Sequence, residues 1–317
     1  MSSVLVVGAG AWGTALALHV ARAGQQVTLW ARDPAPILAT RHSPRLPGHR
    51  LPDNISVTGR LDSVPCDAVL LAVPTQHLAV VAADLPGTTP VVVCAKGLEA
   101  STHRLPLEIL ANLHPGRPAA VLTGPNFAHE VAAGLPAAAV LAASDGALRT
   151  TLAGMIGSTA FRIYGNDDPI GAQWGGAAKN VIAIAAGAVI GAGLGENARA
   201  ALITRGLAEL GRLVVALGGR AETVAGLSGL GDLLLTCTGP TSRNYSLGLA
   251  LGQGFALSDI LAARNTVTEG VATAPALVAR AAGVDLPVCS AVAALLAGRL
   301  RLDQAIAALL ARPRRDE

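Results

Sequence analysis

The chain has 317 residues, of which 51% are hydrophobic, 14% charged and only 3% aromatic, and its formal net charge is +3. That length suggests two domains, and so apolar a composition excludes intrinsic disorder. Three Phe, two Tyr and three Trp are too few for a base-stacking platform, and the small net charge gives no nucleic-acid or membrane footprint.

The first half alternates strand and helix. A short β-branched run at 4–8 is followed by a helical stretch at 11–24, closed by Gly24 as a C-cap, and by a second strand at 26–31. Residues 67–73 read as a strand ending at Pro74, 75–84 as a helix, and 90–95, 119–124 and 137–143 as further strands. A helix around 145–154 and a short strand near 159–163 complete this half. The strands are continuous apolar runs rather than alternating ones, so they are buried on both faces, as in a parallel sheet covered by helices. Gly165, Asn166, Asp167, Asp168 and Pro169 then read as a turn-rich break. Beyond it, Ala-rich stretches at 170–191, 197–217, 244–252, 270–282 and 302–311 carry helical spacing. The expected fold class is α/β, with a doubly wound parallel sheet over 1–165 and an all-α domain over 166–317.

Residues 4–21 are apolar, but no basic segment precedes them and Gly8, Gly10 and Gly13 interrupt them, so no signal peptide is expected. The apolar run at 181–195 has 15 residues, too few to span a bilayer, and reads as a buried central helix. Cys66, Cys94, Cys237 and Cys289 are scattered, which suits reduced thiols in a cytoplasmic protein and no structural zinc. The tail from Arg312 to Glu317 reads as a solvated end.

Two compositional biases narrow the chemistry. Of 24 basic residues only Lys96 and Lys179 are lysines. Such a bias can come from high-GC coding alone; a lysine kept against it suits a group that must exchange a proton, which arginine cannot do near neutral pH, and chance survival is the alternative. All seven histidines lie at or before His129, so an acid or base in the C-terminal half is Lys, Asp, Glu, Tyr or Cys.

Gly8, Gly10 and Gly13 form G-x-G-x-x-G between the first strand and the first helix. In that setting Gly8 permits the tight turn, Gly10 lets amides approach a pyrophosphate, and Gly13 lets helix and strand pack closely. This is the fingerprint of a Rossmann-type dinucleotide-binding domain. The second strand lacks the acid that usually receives the ribose 2′-hydroxyl, and Arg32 stands beside the gap, which favours NADPH. Asp33, one residue on, leaves NADH open.

In the helical half, Lys179 and Asn180 open an apolar run, where an unpaired ammonium would cost several kcal/mol (on the order of 3–5 pKa units). Asp232 lies in an equally apolar context and is the candidate partner; a buried pair without chemistry is the alternative. Thr241, Ser242, Arg243 and Asn244 gather anion donors at a helix start, or else simply cap that helix.

With these motifs in place, the chain resembles the bacterial NAD(P)-dependent glycerol-3-phosphate dehydrogenase family along nearly its whole length. The likeness rests on GAGAWGTALA at 8–17, CAKGLE at 94–99, GPNFAHEV at 124–131, AAKNVIAIAAG at 177–187, GENARAALITRGLAEL at 195–210, GLSGLGDLLLTCT at 226–238, SRNYSLG at 242–248 and VTEGVATA at 267–274. The one departure is Asn126, where the family has Ser. The resemblance implies reversible reduction of dihydroxyacetone phosphate to sn-glycerol 3-phosphate for glycerophospholipid synthesis, with Lys179 as proton donor and acceptor. It implies substrate contacts from Lys96, Gly124, Lys179, Asp232, Ser242, Arg243 and Asn244. Cofactor contacts are implied from Ala11, Trp12, Arg32, Lys96, Ala128, Arg243, Val267 and Glu269, beside the glycines of the loop. No metal is expected, because a lysine supplies the electrophile. The expected partner is a small phosphorylated substrate, without nucleic acid or membrane span; a homodimer is compatible with the sequence and not specified by it. Two rivals are another reductase of the same architecture, which in the hydroxyacyl-CoA case would use a His–Glu pair absent here, and a non-catalytic dinucleotide sensor.

Overall fold

A computed structural model of the chain describes residues 1–62, 64–85, 87–264 and 267–312. Most of the C-terminal tail read above as a solvated end, residues 313–317, lies outside the described residues. The chain divides into two compact units, one of residues 1–96 and 104–173, the other of residues 97–103 and 174–317.

In the first unit eight strands form one sheet: β1 (Ser3–Val7), β2 (Gln26–Trp30), β3 (Ile55–Thr58), β4 (Ala68–Leu71), β5 (Val91–Val93), β6 (Ala119–Thr123), β7 (Ala137–Ala142) and β8 (Phe161–Asn166). Their order is β3-β2-β1-β4-β5-β6-β7-β8. Val4 stands between Val27 and Ala68, so β1 is central and the strand order reverses beside it, where open α/β sheets bind ligands at their carboxyl ends. Helices α1 (Ala11–Arg22), α2 (Ala35–Thr40), α3 (Thr75–Ala83), α4 (Pro106–Leu113), α5 (Ala128–Ala133) and α6 (Gly146–Ile156) connect the strands. Val4 and Val6 join one apolar layer with Leu16, Leu70 and Phe161, while Leu5 and Val7 join the other with Leu78 and Ile109. Both faces of the strands are therefore covered, as the continuous apolar runs require.

Two expectations for this unit need correction. β6 and β7 pair antiparallel, with Leu122 opposite Leu141, so the sheet is mixed; a strand buried on both faces reads alike in either direction. Gly165 and Asn166 complete β8 rather than turning away, because Leu141 and Ala142 of β7 hold them in parallel register. Pairing overrides the local turn preference there. Gly24 does adopt a left-handed φ of 88° just past α1, as a C-terminal glycine should.

The second unit is helical: α7 (Pro169–Gly191, whose first turn belongs to the first unit), α8 (Gly195–Ala216), α9 (Ala221–Ala225), a π-helical turn at Leu227–Gly231, then α10 (Asp232–Cys237) and α11 (Arg243–Gly252). It continues with α12 (Leu257–Ala262), α13 (Glu269–Arg280), α14 (Pro287–Leu296) and α15 (Leu302–Leu310). α7 is long and apolar enough to cross a membrane, yet 83% of its most apolar window is buried inside the protein, as befits a core helix. The apolar run at 181–195 is not one helix. α7 stops at Gly191, and Gly193 and Gly195, at φ 72° and 83°, turn the chain into α8.

Glycines set how closely α7 meets its neighbours. A Cβ on Gly187 would lie 2.0 Å from the Tyr245 carbonyl oxygen, and one on Gly248 would lie 1.9 Å from that of Ile184. The backbones of α7 and α11 are thus in direct contact. One turn before Lys179, a Cβ on Gly175 would lie 2.4 Å from the Ser228 carbonyl oxygen, which presses the π-helical turn against α7. These two approaches bring α10 and α11 to the segment of α7 that carries Lys179.

Candidate active site

In the first unit, Gly8 leaves β1 at φ 113° and donates its N–H to the Trp30 carbonyl at 3.1 Å. A Cβ on Gly13 would lie 1.8 Å from the Gly8 carbonyl oxygen, so this position requires glycine, whereas one on Gly10 would meet nothing within 4 Å. The space over Gly10 opens onto the start of α1. That helix has no side-chain cap and no acidic residue in its first turn, so its leading N–H groups are available to an anion. The half-buried Trp12 keeps its buried indole N–H without a hydrogen-bond partner among the described residues. Arg32 is exposed just past the end of β2. The open cradle at Gly10, the uncapped helix and the unused indole donor all fit a dinucleotide.

Past the carboxyl end of β5, Lys96 donates from Nζ to the Gly124 carbonyl oxygen at 2.9 Å. Gly124 follows β6 at φ 131°, and a Cβ there would crowd Ala139 Cα at 3.1 Å. Asn126 donates from Nδ2 to Ala138 O at 3.1 Å, which ties this loop to β7, while its buried Oδ1 has no partner among the described residues. Ala128 opens α5 two residues later.

The second unit holds the ionic pair. Lys179 Nζ and Asp232 Oδ1 are in hydrogen-bonded contact, and their side chains are only 9% and 1% exposed. Asp232 stands where the π-helical turn passes into α10, and such turns recur at functional sites. Cys237, one and a half turns on, feels both charges. Burial is the main cause that pushes its thiol up to about 12, with Lys179 opposing and Asp232 assisting. It is an inert buried thiol.

Beside this pair runs an amide relay. Asn244 donates from Nδ2 to Asn180 Oδ1 at 2.9 Å and accepts from the Gly270 N–H at 3.0 Å. The start of α13, with Glu269, is thereby pinned to the start of α11 and to the residue next to Lys179. Ser242 is buried and caps α11, its Oγ accepting from the Tyr245 N–H at 3.2 Å. Arg243 stands in the first turn of α11. Its side chain reaches solvent, and among the described residues no group hydrogen-bonds or ion-pairs with its guanidinium. Desolvation by the surrounding protein still lowers its pKa, against the charge of Glu269. Val267 is 42% exposed just before α13.

The structure thus joins Lys179 to Asp232, Lys96 to Gly124, and Asn244 to the start of the helix that carries Glu269. It adds Arg264, which sequence reasoning missed. Arg264 donates to the Arg243 carbonyl at 2.7 Å and to Ser246 Oγ at 3.0 Å. As one of 22 arginines it gave no signal.

Models of the NAD-dependent glycerol-3-phosphate dehydrogenase N-terminus and C-terminus match residues 3–149 and 168–307. The chain belongs to the NAD-dependent glycerol-3-phosphate dehydrogenase family. It is 58% identical over 318 residues to the glycerol-3-phosphate dehydrogenase [NAD(P)+] of Acidiphilium cryptum, covering 98% of this chain and 97% of that one. It is 54% identical over 316 residues to that of Gluconobacter oxydans, with 98% and 97% covered. The crystal structure of glycerol-3-phosphate dehydrogenase from Coxiella burnetii superposes with a TM-score of 0.93 at 38% identity, covering 98% of this chain and 99% of that one. The α/β fold with its helical second half, and membership of a family of NAD(P)-dependent oxidoreductases, follow from these likenesses.

Proposed function

We propose that the chain catalyses the reversible, NAD(P)H-dependent reduction of dihydroxyacetone phosphate to sn-glycerol 3-phosphate for glycerophospholipid synthesis, with Lys179 as proton donor and acceptor. The observation that carries this reading is the buried Lys179–Asp232 pair, in a family that acts on this class of substrate. When bound, the nicotinamide supplies the hydride that reduces the C2 carbonyl.

The chain's own residues supply the rest. The Lys179 ammonium donates a hydrogen bond to the carbonyl oxygen, stabilises the negative charge that develops on it and passes it a proton. In the reverse direction the neutral amine takes the proton from the hydroxyl. Asp232, hydrogen-bonded to the amine, orients it. Arg243, unoccupied by any described side chain, holds the substrate phosphate, assisted by Ser242 and Asn244 at the start of α11. Binding energy from that remote dianion positions C2 and so serves rate as well as affinity. Lys96 and Gly124 complete the substrate contacts.

On this reading Gly8, Gly10, Ala11, Trp12, Gly13, Lys96 and Ala128 of the first unit, and Arg243, Val267 and Glu269 of the second, are the cofactor contacts. NADPH is the favoured cofactor, because exposed Arg32 stands where a carboxylate would otherwise receive the 2′-hydroxyl. The reading places the enzyme in the cytoplasm.

The test is oxidation of NADPH and of NADH with dihydroxyacetone phosphate, in the parent and in K179A and K179R. Both variants lose turnover by about 10²-fold or more while cofactor binding survives. K179R keeps the charge but cannot exchange its proton at neutral pH. Near-parental turnover in K179R removes Lys179 from the acid–base role.

A further inference from the structure

We propose that Arg264 is a positioning residue for the anion site of Arg243, a role that rests on the reading of Arg243 as the phosphate clamp. Arg264 follows α12, held by its own N–H on Leu261 O at 3.1 Å. From there its planar guanidinium bridges two helix starts. One nitrogen, Nη1, donates to the Arg243 carbonyl at 2.7 Å and lies 3.4 Å from Thr268 Oγ1, immediately before α13; the other, Nη2, donates to Ser246 Oγ at 3.0 Å. Ser246 Oγ in turn donates to the Arg243 carbonyl at 3.1 Å, closing a small ring around the residue from which the clamp projects.

Three consequences follow. The fork fixes the first turn of α11, so the Arg243 side chain starts from one backbone position. The contact with Thr268 ties that turn to the residue before Glu269, supplementing the Asn244–Gly270 bond on the buried side. Finally, Arg264 is a second cation beside Arg243, close enough to feel its charge: burial first, and then the charge of Arg243, lower the pKa of Arg264. Two adjacent guanidiniums repel when the site is empty, and a dianion relieves that repulsion. A lysine at 264 keeps the charge but not the fork, since one ammonium on a flexible stem does not reproduce two fixed parallel donors.

The experiment measures kcat and KM for dihydroxyacetone phosphate and for unphosphorylated dihydroxyacetone, with inorganic phosphate as competitive inhibitor. Parent, R264Q, R264K, S246A and R243A are compared at low and high salt, and thermal unfolding of each is recorded. R264Q raises KM for dihydroxyacetone phosphate and the inhibition constant for phosphate about tenfold, the worth of one charged hydrogen bond, and changes kcat much less. R264K gives an intermediate rise and keeps the parental salt dependence, which R264Q flattens. S246A, which removes one acceptor of the fork and no charge, gives a smaller rise. The proposal is overturned if R264Q stays within about twofold of the parent, below what a lost charged hydrogen bond costs. Equal loss on both substrates overturns it too, because a merely structural residue acts that way. Should R264Q fail to fold, R264K and S246A carry the same comparison. R243A reports separately on the clamp. If it discriminates between the two substrates and R264Q does not, only the role of Arg264 falls; if R243A does not discriminate, the clamp reading falls and this one with it.

Discussion

Replacing Asp232 by Asn removes one charge and little volume. The partner ammonium stays where α7 puts it, with a side chain only 9% exposed and its anion gone. Breaking a buried pair from one side costs about 3–5 kcal/mol, because the remaining charge is left in a poorly solvating interior. D232N therefore unfolds in urea with that deficit. Changing both partners to apolar residues of similar size, as in K179M/D232L, recovers most of it, since neither desolvated charge remains. The cycle of parent, K179M, D232L and K179M/D232L then shows a coupling of several kcal/mol where distant sites would add.

The same change has a kinetic consequence of definite sign. Reduction of the carbonyl requires the ammonium form of Lys179. Asp232 is the hydrogen-bonded partner that orients this ammonium, so removing the carboxylate leaves the proton donor misplaced. At neutral pH the kcat of D232N falls by about 10²-fold or more. Steady-state reduction rates of the parent and D232N at saturating cofactor, alongside urea titrations of these two and of the variants of the cycle, measure both effects. A D232N enzyme within about 1 kcal/mol of the parent and with the parental kcat refutes the reasoning, because the pair would then be an incidental surface-like contact.

Three further outcomes are expected. G248A must part α7 from α11 by about 1 Å to accommodate a Cβ placed 1.9 Å from Ile184 O; it costs at least 1–3 kcal/mol in thermal unfolding and raises KM by loosening the Asn180–Asn244 bond one turn away, whereas a parental melting curve would mean the helices do not touch there. Glu209 is buried and accepts from the Val288 and Cys289 N–H groups at 2.6 and 3.1 Å, yet burial outweighs these bonds and raises its pKa above the ordinary 4.5; the proton it retains when folded contributes stability fully below that value and progressively less as pH rises through the raised one, so the stability of the parent relative to E209Q shrinks with rising pH, and a difference that grows contradicts the assignment. R32A weakens NADPH by about tenfold or more and NADH little, as judged by cofactor KM, while equal losses would make Arg32 a packing residue.

What could be read from the chain, and what could not, follows from the range of the forces involved. The glycine loop was legible because its demands are local: a left-handed φ at Gly8 and a helix–strand approach at Gly13 are written within six residues. The long helices were legible by period. β3, α2, α4, α5, α9, α10, α12 and α14 were not singled out; most are short, and their placement depends on packing rather than on a run long enough to show a period. The antiparallel pairing of β7 was hidden because a strand buried on both faces carries no mark of direction.

The site divides along the same line. Lys179 stood out as a lone ammonium in an apolar run, and its need for an anion pointed to Asp232, 53 residues away, before any geometry was available. The reason is energetic: a buried charge without a partner costs more than any surface feature, so its partner must exist somewhere in the chain. Arg264 carries no such penalty. It is half-exposed, one of many arginines, and its bonds end on the Arg243 carbonyl and a serine hydroxyl, groups that every sequence offers in abundance. Residues that pay for burial announce themselves in sequence, while those that position others through backbone carbonyls become visible only when the helices that carry those carbonyls are in place. For this chain the second group is set by the glycine crossings of α7 with α11 and with the π-helical turn. There the absence of four side chains, at Gly175, Gly187, Gly191 and Gly248, decides where Lys179, Asp232, Asn180 and Asn244 meet.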